Sequence, residues 1–273
     1  MLDLTLPVLF TVFIWWFSTG LVLLLNGMPR TSFRWSVLIS SLLAGSALVG
    51  LSHTANQTTV AGAYCAFTCA LLVWGWHELT FLTGWLTGPR RQASTPGITG
   101  WPRFREAVAA ILWHELAIIA SGLAIVAITW ASPNQVGNWT FLVLWAMRTS
   151  AKLNLFYGVR NLSEEFLPSH LVYMGSYFRR RAMNRLFPFT VLGACAVLAL
   201  LVQRVAEPGV GAAAQAGGVL VATMLAMAIL EHGLLVLPLQ STALWRWAMR
   251  NRPAAPAPVP TESKLNETFF HAR

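Results

Sequence analysis

Charge is scarce in this chain: 11% of its 273 residues are charged and 56% are hydrophobic, whereas a soluble globular domain carries about 25% charged residues. That shortage excludes a water-soluble fold, and a mean hydropathy of +0.57 agrees. Cysteine is scarce too, with Cys65, Cys69 and Cys195 all inside apolar runs. Cys65 and Cys69 stand one helical turn apart without the companion cysteines that a zinc site needs. They read as buried small hydrophobes, with no disulfide framework. No Gly-rich phosphate loop and no Gly-x-Ser-x-Gly elbow occurs, which removes support for nucleotide binding and serine hydrolysis. Asp3, with no basic residue before it, precedes the first apolar run. The positive n-region of a cleaved leader is missing, so that run reads as a retained span. No internal repeat is visible.

What the chain has is apolar length. At about 20 residues per crossing, spans are expected near 4–25, 35–52, 58–82, 106–130, 139–157, 187–205 and 217–239. The basic residues alternate with this count. Arg30 and Arg34, then Arg90, Arg91, Arg103 and Arg105, then Arg160, Arg179, Arg180, Arg181 and Arg185, and after the last span Arg246, Arg250, Arg252, Lys264 and Arg273 all fall on one face. Arg204 stands alone on the other. The positive-inside rule then predicts an all-α polytopic membrane protein with seven transmembrane helices, its N-terminus outside and its C-terminus cytoplasmic. The membrane domain covers residues 1–250, and the Pro/Ala-rich stretch 251–273 is expected to be a disordered cytoplasmic tail.

The net charge of +9, confined to loops, points to lipid headgroups and not to nucleic acid. Arg179, Arg180, Arg181 and Arg185 follow Tyr173, Tyr177 and Phe178 and read as a lipid-facing basic segment. Plain positive-inside charge explains them equally. Trp85, Trp101, Trp139, Trp245 and Trp247 fall where an interfacial aromatic belt is expected.

The few acids are not scattered. His77 and Glu78, His114 and Glu115, and Glu231 and His232 sit inside spans, and Glu164 and Glu165 precede His170 after the fifth span. By helical rise, His77 and Glu78 lie about 10 to 12 Å from the cytoplasmic end of their span and His114 and Glu115 about 12 to 14 Å from theirs. Four segments thus bring His and Glu to one leaflet. Imidazole with carboxylate suits iron, manganese or zinc, and bundle di-metal sites take such ligands from facing helices. Neighbouring residues point about 100° apart on a helix, so one member of each pair is the ligand and the other orients it. Two divalent metal ions, iron first, are the cofactor expectation.

Other readings of the same residues stand beside it. Intramembrane charges usually pair, and Arg148 and Lys152, inside the fifth span with Asn154 nearby, are available partners for the acids. Ala110 and Ala228 stand one turn before His114 and His232, a spacing that leaves room for haem or bacteriochlorophyll. Buried acids also serve proton relays, although the lack of an inverted repeat weighs against a transporter.

The stretch from Asn154 to Tyr177, with Met183-Asn184 and Phe187-Pro188, and the pairs at Trp76-His77-Glu78, Trp113-His114-Glu115 and Glu231-His232 resemble the PuhE family, the photosynthetic complex assembly proteins of purple phototrophic bacteria. The resemblance implies a multi-pass protein of the bacterial inner membrane, cytoplasmic or intracytoplasmic. It further implies partners among reaction-centre or antenna subunits and pigment-synthesis enzymes, and a role in complex assembly or bacteriochlorophyll supply. It brings no catalytic mechanism. A di-iron membrane oxygenase acting on a tetrapyrrole or carotenoid precursor is the enzymatic alternative.

Overall fold

Each expected apolar run folds as a long helix in the computed structural model, which describes residues 2–239 and 241–249. The helices are α1 (Leu2–Asn26), α2 (Phe33–Thr54), α3 (Val60–Leu82), α4 (Gly100–Ile128), α5 (Val136–Tyr157), α6 (Leu186–Ala206) and α7 (Ala212–Val236), followed by the short α8 (Arg246–Met249). Among the described residues there is no strand, and one isolated bridge joins Val159 to Arg180. Helices α1, α2, α3, α4, α6 and α7 are long and apolar enough to cross a membrane, so the chain is a multi-pass membrane protein. Helix α5 is as long as α2 but falls short of that apolarity, since it carries Arg148, Lys152 and Asn154. The tail expected over 251–273 lies outside the described residues.

Local chemistry sets the helix ends. Thr59 caps α3 by accepting the Gly62 amide at 3.0 Å, as N-cap hydroxyls do. At the other end of α3, Gly84 has φ +78°. The Gly84 amide donates to Phe81 O and the Trp85 amide to Thr80 O, which is the Schellman pairing that only a left-handed residue permits. The side chain of Asn184 accepts the amides of Leu186 and Phe187 at 2.8 and 3.1 Å and so opens α6. Asn161 closes α7, donating from Nδ2 to Leu234 O at 2.7 Å and to Leu237 O at 2.5 Å.

Helix α3 is the axis of the bundle. Its apolar window is 61% buried, against 17% in each of α1, α2 and α4, and it packs on all three and on α5 and α7. Small residues allow this: Ala47 of α2 lies in one cluster with Ala66, Cys69 and Ala70 of α3, the close approach that replaces hydrophobic driving force in lipid. The outward faces carry Phe13, Trp35, Leu42, Val49, Phe189 and Leu192, all exposed. Such a surface suits acyl chains and not water.

At the end where α3 stops, the loops form ordered structure. Tyr177 donates from its hydroxyl to Gln92 O at 3.0 Å and accepts from Arg90 Nε at 2.8 Å. Arg103, buried at the start of α4, donates to Tyr177 O at 2.6 Å and stacks over Phe156. The loop after α3 also reaches into α4: the His114 amide donates to Thr87 O at 2.9 Å and the Arg90 amide to Ala109 O at 3.3 Å. Gly88 makes this approach, because a Cβ there collides with the backbone of Ala109 and Ala110.

Two expectations are refined here. Trp245 and Trp247 turn toward α1: Trp245 is buried against Trp15 with ring centroids 5.5 Å apart, and Trp247 packs on Trp16. The chain after α7 turns back along α1, where the Trp245 indole finds the Trp16 carbonyl at 3.0 Å. Of the cysteines only Cys69 is buried; Cys65 and Cys195 lie on outer faces, where lipid accepts a thiol as readily as a protein core does.

Candidate functional site

Helices α3, α4, α5 and α7 bring five charged groups together. Arg148 Nη2 lies 3.1 Å from Glu78 Oε2, and Lys152 Nζ lies 2.5 Å from Glu115 Oε1. Glu231 accepts from the Trp15 indole at 2.9 Å and stands within electrostatic reach of Arg148. Arg148 and Lys152 are four apart, so they share a face of α5 and meet acids from the two flanking helices. The second oxygen of Glu78 is buried without a hydrogen-bond partner. Three carboxylates thus face two cations, each acid arriving from a different helix.

Beside these pairs lie two imidazoles. His77 is 0% and His114 1% exposed, and their ring centroids are 6.2 Å apart at 78°. Aromatic rings surround them: Trp76 is 4.8 Å and Phe141 6.1 Å from His77, and Phe81 is 4.5 Å from His114. Both ring nitrogens of His77 and Nδ1 of His114 are buried without a hydrogen-bond partner. A buried polar atom left unpaired costs about 1–3 kcal/mol, which singles these two imidazoles out among the buried polar groups of the bundle.

His232 differs. Its Nδ1 donates to Ala228 O at 2.9 Å, which leaves Nε2 as an acceptor for the Ser150 hydroxyl at 2.9 Å. Both nitrogens are spent and the neutral tautomer is fixed. One turn before His114, Gly88 lies on the Ala109 and Ala110 backbone.

The residues of the fifth loop go elsewhere. Glu164 and Glu165 are exposed on a short 3₁₀ turn, with Glu164 3.9 Å from Arg180. His170, in the 3₁₀ helix that follows Pro168, donates from Nε2 to Leu82 O at 2.9 Å, supplying the donor that the Schellman turn leaves owing to that carbonyl. Among the described residues, no group of three or more His, Cys, Asp or Glu side chains is gathered to hold a metal ion. The carboxylates are drawn to Arg148 and Lys152, since an unbalanced charge among apolar helices is the costlier arrangement.

Asn154 is fully buried and joins α5 to α6. Its Nδ2 donates to Ser150 O at 3.0 Å, and its Oδ1 accepts from Asn184 Nδ2 at 2.9 Å. Of the basic segment, Arg180, Arg181 and Arg185 are exposed, while the Arg179 backbone is tied to Leu155 and Val159. Sequence reasoning passed over Trp15, Ser150, Asn161 and Arg103. Only Arg103 carried a signal, as a cation close to the start of a span.

A family model described as a protein of unknown function, DUF3623, matches residues 1–256. An uncharacterized 30.4 kDa protein in the puhA 5′ region of Rhodobacter capsulatus is 36% identical over 255 residues, covering 89% of this chain and 90% of that protein. No solved structure matches.

Proposed function

From the fact that the chain belongs to the DUF3623 family, we propose that it is an inner-membrane factor. It serves assembly of the photosynthetic reaction-centre and core-antenna complex or the supply of bacteriochlorophyll. The observation that carries this reading is the place of its Rhodobacter capsulatus relative, in the puhA 5′ region, a photosynthesis gene region. In this reading all seven long helices cross, α5 included, because Glu78 and Glu115 neutralise the cations that make α5 too polar to cross alone. The N-terminus lies outside and the arginine-rich end is cytoplasmic.

Within that role the working groups are His77 and His114. Their free nitrogens are ligands on offer to a metal ion, whereas Glu78 and Glu115 set the charge around them. The carboxylates keep Arg148 and Lys152 inside the bundle, and the aromatic rings exclude water from the imidazoles. A protein that handles a pigment or an apolar subunit needs such a polar site in a dry setting, where each hydrogen bond is electrostatically stronger than in water.

Deletion of the gene in its phototrophic host tests the proposal. Near-infrared absorbance of the membranes should show reduced reaction-centre and core-antenna complexes, restored by the wild-type gene and poorly by His77→Leu. Normal complex levels in the deletion strain, with normal pigment content, refute it.

A further inference from the structure

A second site lies where α2 begins and α3 ends. A cavity of about 300 Å³ is lined by Arg30, Thr83, Gly84, Thr87, Arg91, His170 and Tyr173, with Phe33 and Leu171 supplying its apolar walls. Both arginines are exposed, and neither has a carboxylate partner among the described residues. Thr87 is 1% exposed; its hydroxyl interacts with the hydroxyl of Tyr173, and neither has any other hydrogen-bond partner. The other polar groups are engaged: Thr83 Oγ1 donates to Leu79 O at 2.7 Å, and His170 Nε2 to Leu82 O.

The cavity therefore holds two uncompensated guanidinium groups and a Thr87–Tyr173 hydroxyl pair with one proton left to donate, with no acid among its lining residues. Donors of this kind call for an anion with several oxygens, and planar guanidinium forks match phosphate geometry. A void of this size is at the small end of ligand sites, enough for a headgroup and too small for a tetrapyrrole. Phe33 and Leu171 continue from the cavity into the apolar bundle, which suits a phosphate carried on a hydrocarbon chain as well as free phosphate. We propose that the cavity between Arg30, Arg91, Thr87 and Tyr173 is a phosphate-binding site at the membrane boundary, taking a phospholipid headgroup or a soluble phosphate. The inference does not depend on the photosynthetic reading.

The test uses the full chain purified in dodecyl maltoside, with its unfolding midpoint followed during titration with dioctanoyl phosphatidylglycerol, with inorganic phosphate, and with chloride at matched ionic strength. A rise with the lipid alone assigns a headgroup; a rise with inorganic phosphate alone assigns a soluble ligand; a rise with both assigns the phosphate group itself. In each case Arg30→Gln or Arg91→Gln should weaken the response about ten- to hundredfold, the share of a charged hydrogen bond. Thr87→Val should weaken it less while leaving the charge unchanged. Both arginines are exposed, so their variants fold. The inference fails if neither ligand raises the midpoint, if chloride does so equally, or if the Arg30→Gln/Arg91→Gln double variant responds like the wild type.

Discussion

Arg148 on α5 lies 3.1 Å from Glu78 on α3, although 70 residues separate them in the chain. Arg148 is 43% exposed, while Glu78 is 16% exposed with one oxygen buried and unpartnered. The pair is the link by which the most polar helix is held against the most buried one. Arg148→Met should destabilise the protein more than the Glu78→Gln/Arg148→Met double variant does, because the single change leaves a carboxylate unbalanced. Thermal unfolding in detergent should give a coupling energy of about 0.5–3 kcal/mol. Strictly additive effects of the two single variants would deny the link.

Replacing His77 by Leu removes two unpartnered nitrogens from a dry site. On stability grounds alone the change should be neutral or favourable, since about 1–3 kcal/mol of unpaired polar burial disappears. We expect an unchanged or higher unfolding midpoint together with poor complementation of the deletion strain. A fall in both would make His77 a structural residue, and full complementation would remove it from the site.

Gly84 combines a left-handed backbone with a crowded position: a Cβ there stands 3.0 Å from His170 Cδ2. Gly84→Ala should cost roughly 1–2 kcal/mol for the backbone conformation and should also push His170 away from Leu82 O. The change in unfolding midpoint reads the first effect. Weaker phosphate binding in the neighbouring cavity reads the second.

His170 lies outside the spans, and burial holds its imidazole below the ordinary histidine value of 6.5; the bond to Leu82 O opposes this and the nearby Arg30 adds to it. Arg91 and Tyr173 line the same cavity. With the folded value lowered, the unfolded chain takes up the proton first as pH falls. The stability that neutral His170 contributes is therefore present above 6.5 and is lost as pH drops toward the folded value. Unfolding midpoints between about pH 8 and 5 should fall less steeply in His170→Asn than in the wild type, other titrating groups being common to both.

The helices were legible because apolar length acts locally. Pairing of Arg148 and Lys152 with acids on other helices was legible too, since a cation inside an apolar span must find an anion. What sequence could not give was the interlocking of loops. Asn161 and Asn184 read as ordinary loop residues, yet Asn161 satisfies the end of α7, far along the chain, and Asn184 reaches back to the Asn154 and Gly158 carbonyls at the end of α5. The gathering of Glu164, Glu165 and His170 with the interior pairs was inferred from depth alone. Depth says nothing of direction around the bundle axis, and His170 is claimed instead by an orphan carbonyl of α3.

Thr87 belongs to both sites. It lines the cavity at the membrane boundary, and its carbonyl holds the backbone amide of His114. The wall of the cavity and the turn of α4 that carries a buried imidazole are thus joined through the backbone, next to Gly88, which lies directly on Ala109 and Ala110.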